Sequence, residues 1–335
     1  MKRYIVIFVL ALSAAVSCRK ADVPAGQQWG SIRLMPVFTG IEPQVSTKGA
    51  FAAIAGVNFE FDGSIFVYNT GTKVPHVQGY NNMKAMVEAT WDPAKTNYDF
   101  MWMFYPNGVQ TSGLPEIGVL KGVPVDVYAY VPYNPSFQDL TAIPFNTADQ
   151  DDIMFASALN VQVNSLEASS PQQLVFRHSM ACITLKVKSK RFFEHFFSEL
   201  RIRDAGNNYL AYKGTVNVMD GSVSSPQYND QWVVVEYEDE LNVSTSRDAY
   251  FTVLVPPVKD YNDSKGIELC LKSRVGVETE RFFLPLPPAE SDGTHPFKAG
   301  YEYIYDVTLD DFVMISPNVY VVGYDTIPTI SEIEF

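Results

Sequence analysis

Apolar and polar residues alternate with a period of two along most of this chain, and β-branched and aromatic side chains fill many of the apolar positions. A period of two places successive side chains on opposite faces of a strand, so the pattern predicts half-buried strands. They fall over residues 31–38, 64–68, 98–104, 125–131, 181–187, 232–237, 250–255, 267–272 and 303–309, with a further one starting at Leu174. Turn-forming pairs separate them: Asp62 with Gly63, Asn107 with Gly108, Asp220 with Gly221, and Asp292 with Gly293. Prolines gather between the runs, at Pro132, Pro135, Pro256, Pro257, Pro285, Pro287 and Pro288, where a missing N–H does least harm. Helical spacing is confined to 192–200 and, more faintly, 151–159. The predicted fold class is mostly β, in sandwich form.

A polar stretch over 161–170, followed by Pro171, Gln172 and Gln173, interrupts the pattern and marks a boundary. It divides the chain into an N-terminal sandwich, 31–171, and a C-terminal one, 172–311, each of ordinary domain length. The remainder, 312–335, carries two strand-like pieces, 318–324 and 329–335, around Asp325 and Pro328.

The start of the chain has a different character. Lys2 and Arg3 precede an apolar run over 4–12, small residues follow, and Cys18 stands directly after Ser17. This is the layout of a secretory signal peptide over 1–17, too short for an ordinary membrane span. A cysteine after a small residue at this point resembles a bacterial lipobox, although Ala15 stands where leucine is usual. The expectation is cleavage before Cys18 and lipidation of its thiol and new amine, with 18–30 as an anchored linker. Each buried CH₂ of an acyl chain contributes ~0.8 kcal/mol, so several chains make a durable link to membrane lipid. The other cysteines, Cys182 and Cys270, lie in alternating apolar stretches and read more readily as small buried hydrophobes than as a disulfide, which spacing alone does not settle.

With 47% hydrophobic residues the chain has ample material for a core, which excludes disorder. Its formal charge is −13, or −15 once Lys2 and Arg3 leave with the leader, and no long basic run offsets it. Such a surface repels phosphate backbones, so nucleic acid is excluded as a partner. His76, His178, His195 and His295 are scattered without metal-ligand spacing, and no nucleophile elbow, P-loop or dinucleotide-binding glycine pattern occurs. Asp149, Asp151 and Asp152 lack the glycine and terminal glutamate of a calcium loop and read as the acidic start of the 151–159 helix. A pair of carboxylates suited to glycoside hydrolysis stays open at this level, since the many acids have no known separation. Trp91, Tyr98, Trp102 and Tyr105 suit a sandwich core better than a sugar-stacking platform. No cofactor or metal site is expected.

Five segments in order resemble the fimbrillin family, the lipoprotein pilus subunits of Bacteroides-like bacteria. They are Ser46-Thr47-Lys48-Gly49-Ala50; Val127-Tyr128-Ala129-Tyr130-Val131-Pro132-Tyr133; Asp151-Asp152-Ile153-Met154-Phe155-Ala156; the stretch 174–183 around Phe176, His178 and Cys182; and Phe297-Lys298-Ala299-Gly300-Tyr301-Glu302-Tyr303. The resemblance implies two tandem transthyretin-like β-sandwich domains, an outer-membrane, surface-exposed lipoprotein, and no enzymatic activity. It also implies assembly: an arginine- or lysine-directed protease removes the N-terminal strand, and a strand from another subunit's C-terminus fills the groove. The physics is β-strand addition to an open edge.

The candidate cleavage points are Arg33, inside the predicted strand 31–38, and Lys48, in the loop after it. An uncut chain would be a lipid-retaining anchor or a relative that does not polymerise. In the tail, Tyr320, Val322, Ile333 and Phe335 are the candidate donor-strand residues, unless the tail packs on its own domain instead. The adhesion ligand is not specified by any motif. The alternative reading is a surface glycan-binding lipoprotein that does not polymerise, stacking sugars on Trp91, Trp102 or Trp232.

Overall fold

The computed structural model describes residues 28–38, 62–77, 80–92, 97–105, 116–163, 171–192, 194–206, 208–262 and 265–323. Strands fill most of these. The first half holds β1 Trp29–Ile32, β2 Leu34–Phe38, β3 Asp62–Asn69, β4 Met83–Asp92, β5 Asn97–Tyr105, β6 Ile117–Leu120, β7 Val125–Val131, β8 Ile143–Asn146, β9 Met154–Val161 and β10 Gln172–His178. The second half holds β11 Ala181–Ser189, β12 His195–Asp204, β13 Ala211–Val216, β14 Val223–Tyr228, β15 Val233–Val243, β16 Ala249–Val255, β17 Ile267–Lys272, β18 Phe282–Phe283, β19 Tyr301–Asp310 and β20 Val313–Gly323. The mostly-β class is as the alternation predicts.

Two sandwiches result. In the first, a seven-stranded sheet ordered β2-β10-β9-β7-β3-β4-β5 faces the antiparallel pair β1-β6. Ile32, Leu34, Val67, Trp102, Val119 and Phe176 meet in the core between them. In the second, β16-β11-β19-β20 packs on β15-β12-β17-β18 around Ile183, Leu200, Phe251 and Tyr305.

The sandwiches are joined by more than a linker. β8, from the first half of the chain, pairs with β13 of the second. A third apolar cluster sets Phe66, Tyr128 and Tyr130 against Met180, Val216 and Leu254. Gly221, at φ +75, sits so close to the Phe155 ring that any Cβ would clash. Left-handed backbone and close approach both demand glycine at that turn.

Several expectations are corrected. The described residues of 192–200 form no helix: β12 covers 195–200, and its register with β15 shifts between Phe197 and Glu199. Core-facing side chains come at Phe197 and then at Leu200 and Ile202, so the irregularity mimics helical spacing. Residues 151–159 are not helical either. In β9, Met154, Ala156 and Ala158 alternate inward, a pattern that two alanines obscure. The boundary between 171 and 172 is displaced as well. β10 belongs to the first sheet, antiparallel to β9 and parallel to β2, because Leu174 and Phe176 complete the first core. Within the 312–335 tail, Val313–Gly323 is already paired as β20. The predicted strand over 31–38 is two strands, interrupted at Arg33. The reading of Cys182 and Cys270 as small buried hydrophobes holds: both are free and buried, on different sheets.

Candidate functional site

The ends of the described chain supply three outer strands, β1 and β2 at the start and β20 at the end. At the start, β1 pairs antiparallel with β6, from Trp29 opposite Leu120 to Ile32 opposite Ile117. One residue later β2 pairs parallel with β10, from Leu34 opposite Gln172. The segment therefore crosses from one sheet to the other at Arg33. Ile32 and Leu34, flanking the crossing, are 1% and 4% exposed. Arg33 points outward; its Nε donates to Glu116 Oε1 at 2.6 Å, and its carbonyl accepts from the Gln172 N–H at 2.8 Å. Hydrogen bonds from Ser31 and Arg33 hold the Glu116 carboxyl below the usual carboxylate range. Lys48 lies outside the described residues, as do Cys18 and the 1–17 leader.

His76 braces the other end of the β1–β6 pair, where Leu120 stands opposite Trp29. Its Nε2 accepts the Leu120 N–H at 2.9 Å, and its Nδ1 lies 2.8 Å from Asn69 Oδ1. Accepting through Nε2 requires the neutral ring, with the proton on Nδ1, and burial lowers the His76 pKa accordingly.

At the other end, β20 is the outer strand of its sheet, antiparallel to β19. Their register shifts between Asp306 and Thr308, beside Pro317, as an edge strand tolerates. Before the shift Met314 turns inward and is buried; after it only Val319 reaches the core, and partly. Ile315 and Tyr320 are each 52% exposed. Tyr320 stands opposite Ile304 and Val322 opposite Glu302. Of the four candidate donor residues, Ile333 and Phe335 lie outside the described residues.

The remaining candidate chemistry resolves into structure. Trp102 is fully buried, edge-on to Phe104 and Phe176. Trp232 carries the Arg203 guanidinium 4.6 Å from its ring and Arg281 at 5.9 Å, so its π-surface is engaged within the chain. The Trp91 side chain is outside what is described. The acidic run does not open a helix: Asp149 ends the short 3₁₀ turn Thr147–Asp149, and Asp152 is buried against His178 Nδ1. Burial, then the nearby charge of Asp149, raises the Asp151 pKa. Among the described residues no three His, Cys, Asp or Glu side chains gather as a metal site. Glu116 and Gln172 escaped the sequence reading, since their contacts with Arg33 span the fold and leave no local signature.

The family described as fimbrillin-like matches residues 58–327. Among solved structures, a candidate cell adhesion protein from Bacteroides ovatus ATCC 8483 superposes with a TM-score of 0.58 at 16% identity, covering 89% of this chain and 98% of its own. Another, from Bacteroides uniformis ATCC 8492, gives a TM-score of 0.54 at 15% identity, covering 88% and 99% respectively. At such identities the likeness is one of fold. No curated protein matches the sequence.

Proposed function

The chain belongs to the fimbrillin-like family, structural proteins of the cell surface and not enzymes, and from that premise we propose that it is a lipid-anchored pilus subunit assembled by protease-triggered strand exchange. In this reading residues 1–17 direct export, Cys18 carries the lipid that holds the chain at the outer membrane, and proteolysis removes the N-terminal strand. The emptied groove of the first sandwich accepts a strand from the tail of another subunit. Backbone groups at the open edge regain ladder partners, and alternate side chains fill the vacated pockets.

The observation that carries the reading is the contrast between the two ends: β1 and β2 plug a core, while β20 lies on an edge with its outer side chains bare. Where the cut falls decides what opens. Cleavage after Arg33 frees β1 alone, because β2 stays joined to the chain that follows and paired with β10. Cleavage after Lys48 frees both. A chain left uncut retains its lipid as an anchor, and a chain whose tail stays on β19 caps a tip.

The test is digestion of the folded lipoprotein with a trypsin-like protease, followed by electrophoresis without boiling. An SDS-resistant ladder is the expected result; monomer under every condition overturns the reading. The N-terminus of the protein recovered from cells then assigns the role. Acylated Cys18 marks an anchor, and a start at Leu34 or Gly49 marks a processed subunit.

A further inference from the structure

Arg33 sits at the one described point where the N-terminal segment changes sheets, and three separate contacts immobilise it. The carboxylate of Glu116 takes its Nε at 2.6 Å. The Gln172 N–H occupies its carbonyl at 2.8 Å. Ile32 and Leu34 on either side are sunk in the core. An endoprotease needs the opposite of all three: the arginine side chain in its own pocket, the carbonyl free for its oxyanion donors, and the flanking residues drawn out as an extended strand. The Arg33 side chain is nevertheless 48% exposed, so at this crossing, between the buried Ile32 and Leu34, it is the part that reaches solvent. Glu116 is the group competing for it, held against the guanidinium by that ion pair.

We propose that Glu116 acts as a clip that sets how readily an arginine-directed endoprotease hydrolyses the Arg33–Leu34 bond. The proposal rests on the reading that the N-terminal strand is released by proteolysis, and it supplies that release with a control. In the step itself the C–N bond between Arg33 and Leu34 breaks, and water supplies the hydroxyl of the new Arg33 carboxyl group and a proton to the new Leu34 amine. While the clip holds, the guanidinium is withheld and the crossing stays seated. When the carboxylate is removed or screened, the side chain is free to be captured, and capture draws the strand out.

The test compares cleavage after Arg33 with cleavage after Arg274, an exposed loop arginine followed by Val275, in the full chain under limiting trypsin, with products read by mass spectrometry. Glu116→Gln is expected to raise the Arg33-to-Arg274 cleavage ratio about two- to fivefold, the range of an exposed ion pair. In the unaltered protein the ratio rises with ionic strength, and in Glu116→Gln it does not, since salt then has no pair left to screen. A ratio unchanged by Glu116→Gln overturns the clip, as does equal acceleration at both sites, which would report general loosening. Chains cut at Arg33 that never polymerise would count against strand exchange and leave the clip standing; an unchanged ratio does the reverse.

Discussion

β1 and β2 at the start of the chain and β20 at its end are all outer strands, yet they enter their cores in opposite proportion. Ile32 and Leu34 are buried with Trp102 and Phe176 in the first core. Among the described side chains of β20 only Met314 is buried, while Ile315 and Tyr320 face solvent. A strand at a sheet edge by its hydrogen bonds can therefore be central by its side chains. Burying a large aliphatic side chain contributes about 1.5–3 kcal/mol, so β1 and β2 together hold several kcal/mol of the first sandwich. β20 holds far less of the second. Under the proposed strand exchange the two ends then call for different means of release: the first must be cut free of its chain, and the second needs only to peel.

The largest effect expected from this contrast is at Leu34. Leu34→Ala leaves a cavity beneath the sheet switch and should destabilise the first sandwich by about 2–5 kcal/mol in a denaturant titration. A cost below ~1 kcal/mol would mean that the core closes without this strand, and the plug would lose its meaning. Next comes Met314→Ala, expected to cost about 2 kcal/mol, because an edge site collapses more easily than a central one. Hydrogen exchange sharpens the point: amides near Met314 should exchange more slowly than those of 319–323. Uniform protection along β20 would show one firmly docked strand instead of an anchored base with a loose end.

Much of this was legible in the sequence, and the failures have common causes. Alternation of Ile32 and Leu34 about Arg33 marked an inward face correctly, but it ran unbroken across the sheet switch. A change of hydrogen-bonding partner leaves no trace in hydrophobic spacing. In β12 and β20 the reverse held: register shifts broke the spacing without ending the strand. β7 defeated a one-face reading because it is buried on both sides, Val127 and Ala129 in the first core and Tyr128 and Tyr130 in the joint. β10 was assigned to the wrong sandwich because the polar stretch before it looks like a domain linker. The Arg33 clip was invisible because Glu116 lies far along the chain.

The third expectation concerns pH and comes from His76. Its folded pKa is lowered by burial, so the folded protein favours the neutral ring more than the unfolded chain does. Stability from this group is complete above the ordinary histidine pKa of about 6.5 and falls as the pH drops through that value toward the folded pKa. Protonation removes the acceptor for the Leu120 N–H and loosens β6 where β1 docks. Exchange of the β6 amides should accelerate at mildly acidic pH, and His76→Gln should weaken that acid dependence. Equal acceleration in β17, far from His76 in the fold's other sandwich, would refer the effect to the whole molecule.

The smallest effect is the most discriminating. Tyr320→Ser should change the stability of the isolated chain by no more than about 0.5 kcal/mol, because half the side chain already faces water and its strand neighbours lie at an open edge. The same substitution should diminish the SDS-resistant ladder if this part of β20 supplies side chains to another subunit's pockets, where the ring would be enclosed. A side chain idle in the monomer and required in the polymer has a separate reason to be there. A loss above ~1 kcal/mol in the monomer would place the far half of β20 on the same footing as β2, and the asymmetry between the two ends would reduce to the burial of Ile32 and Leu34 alone.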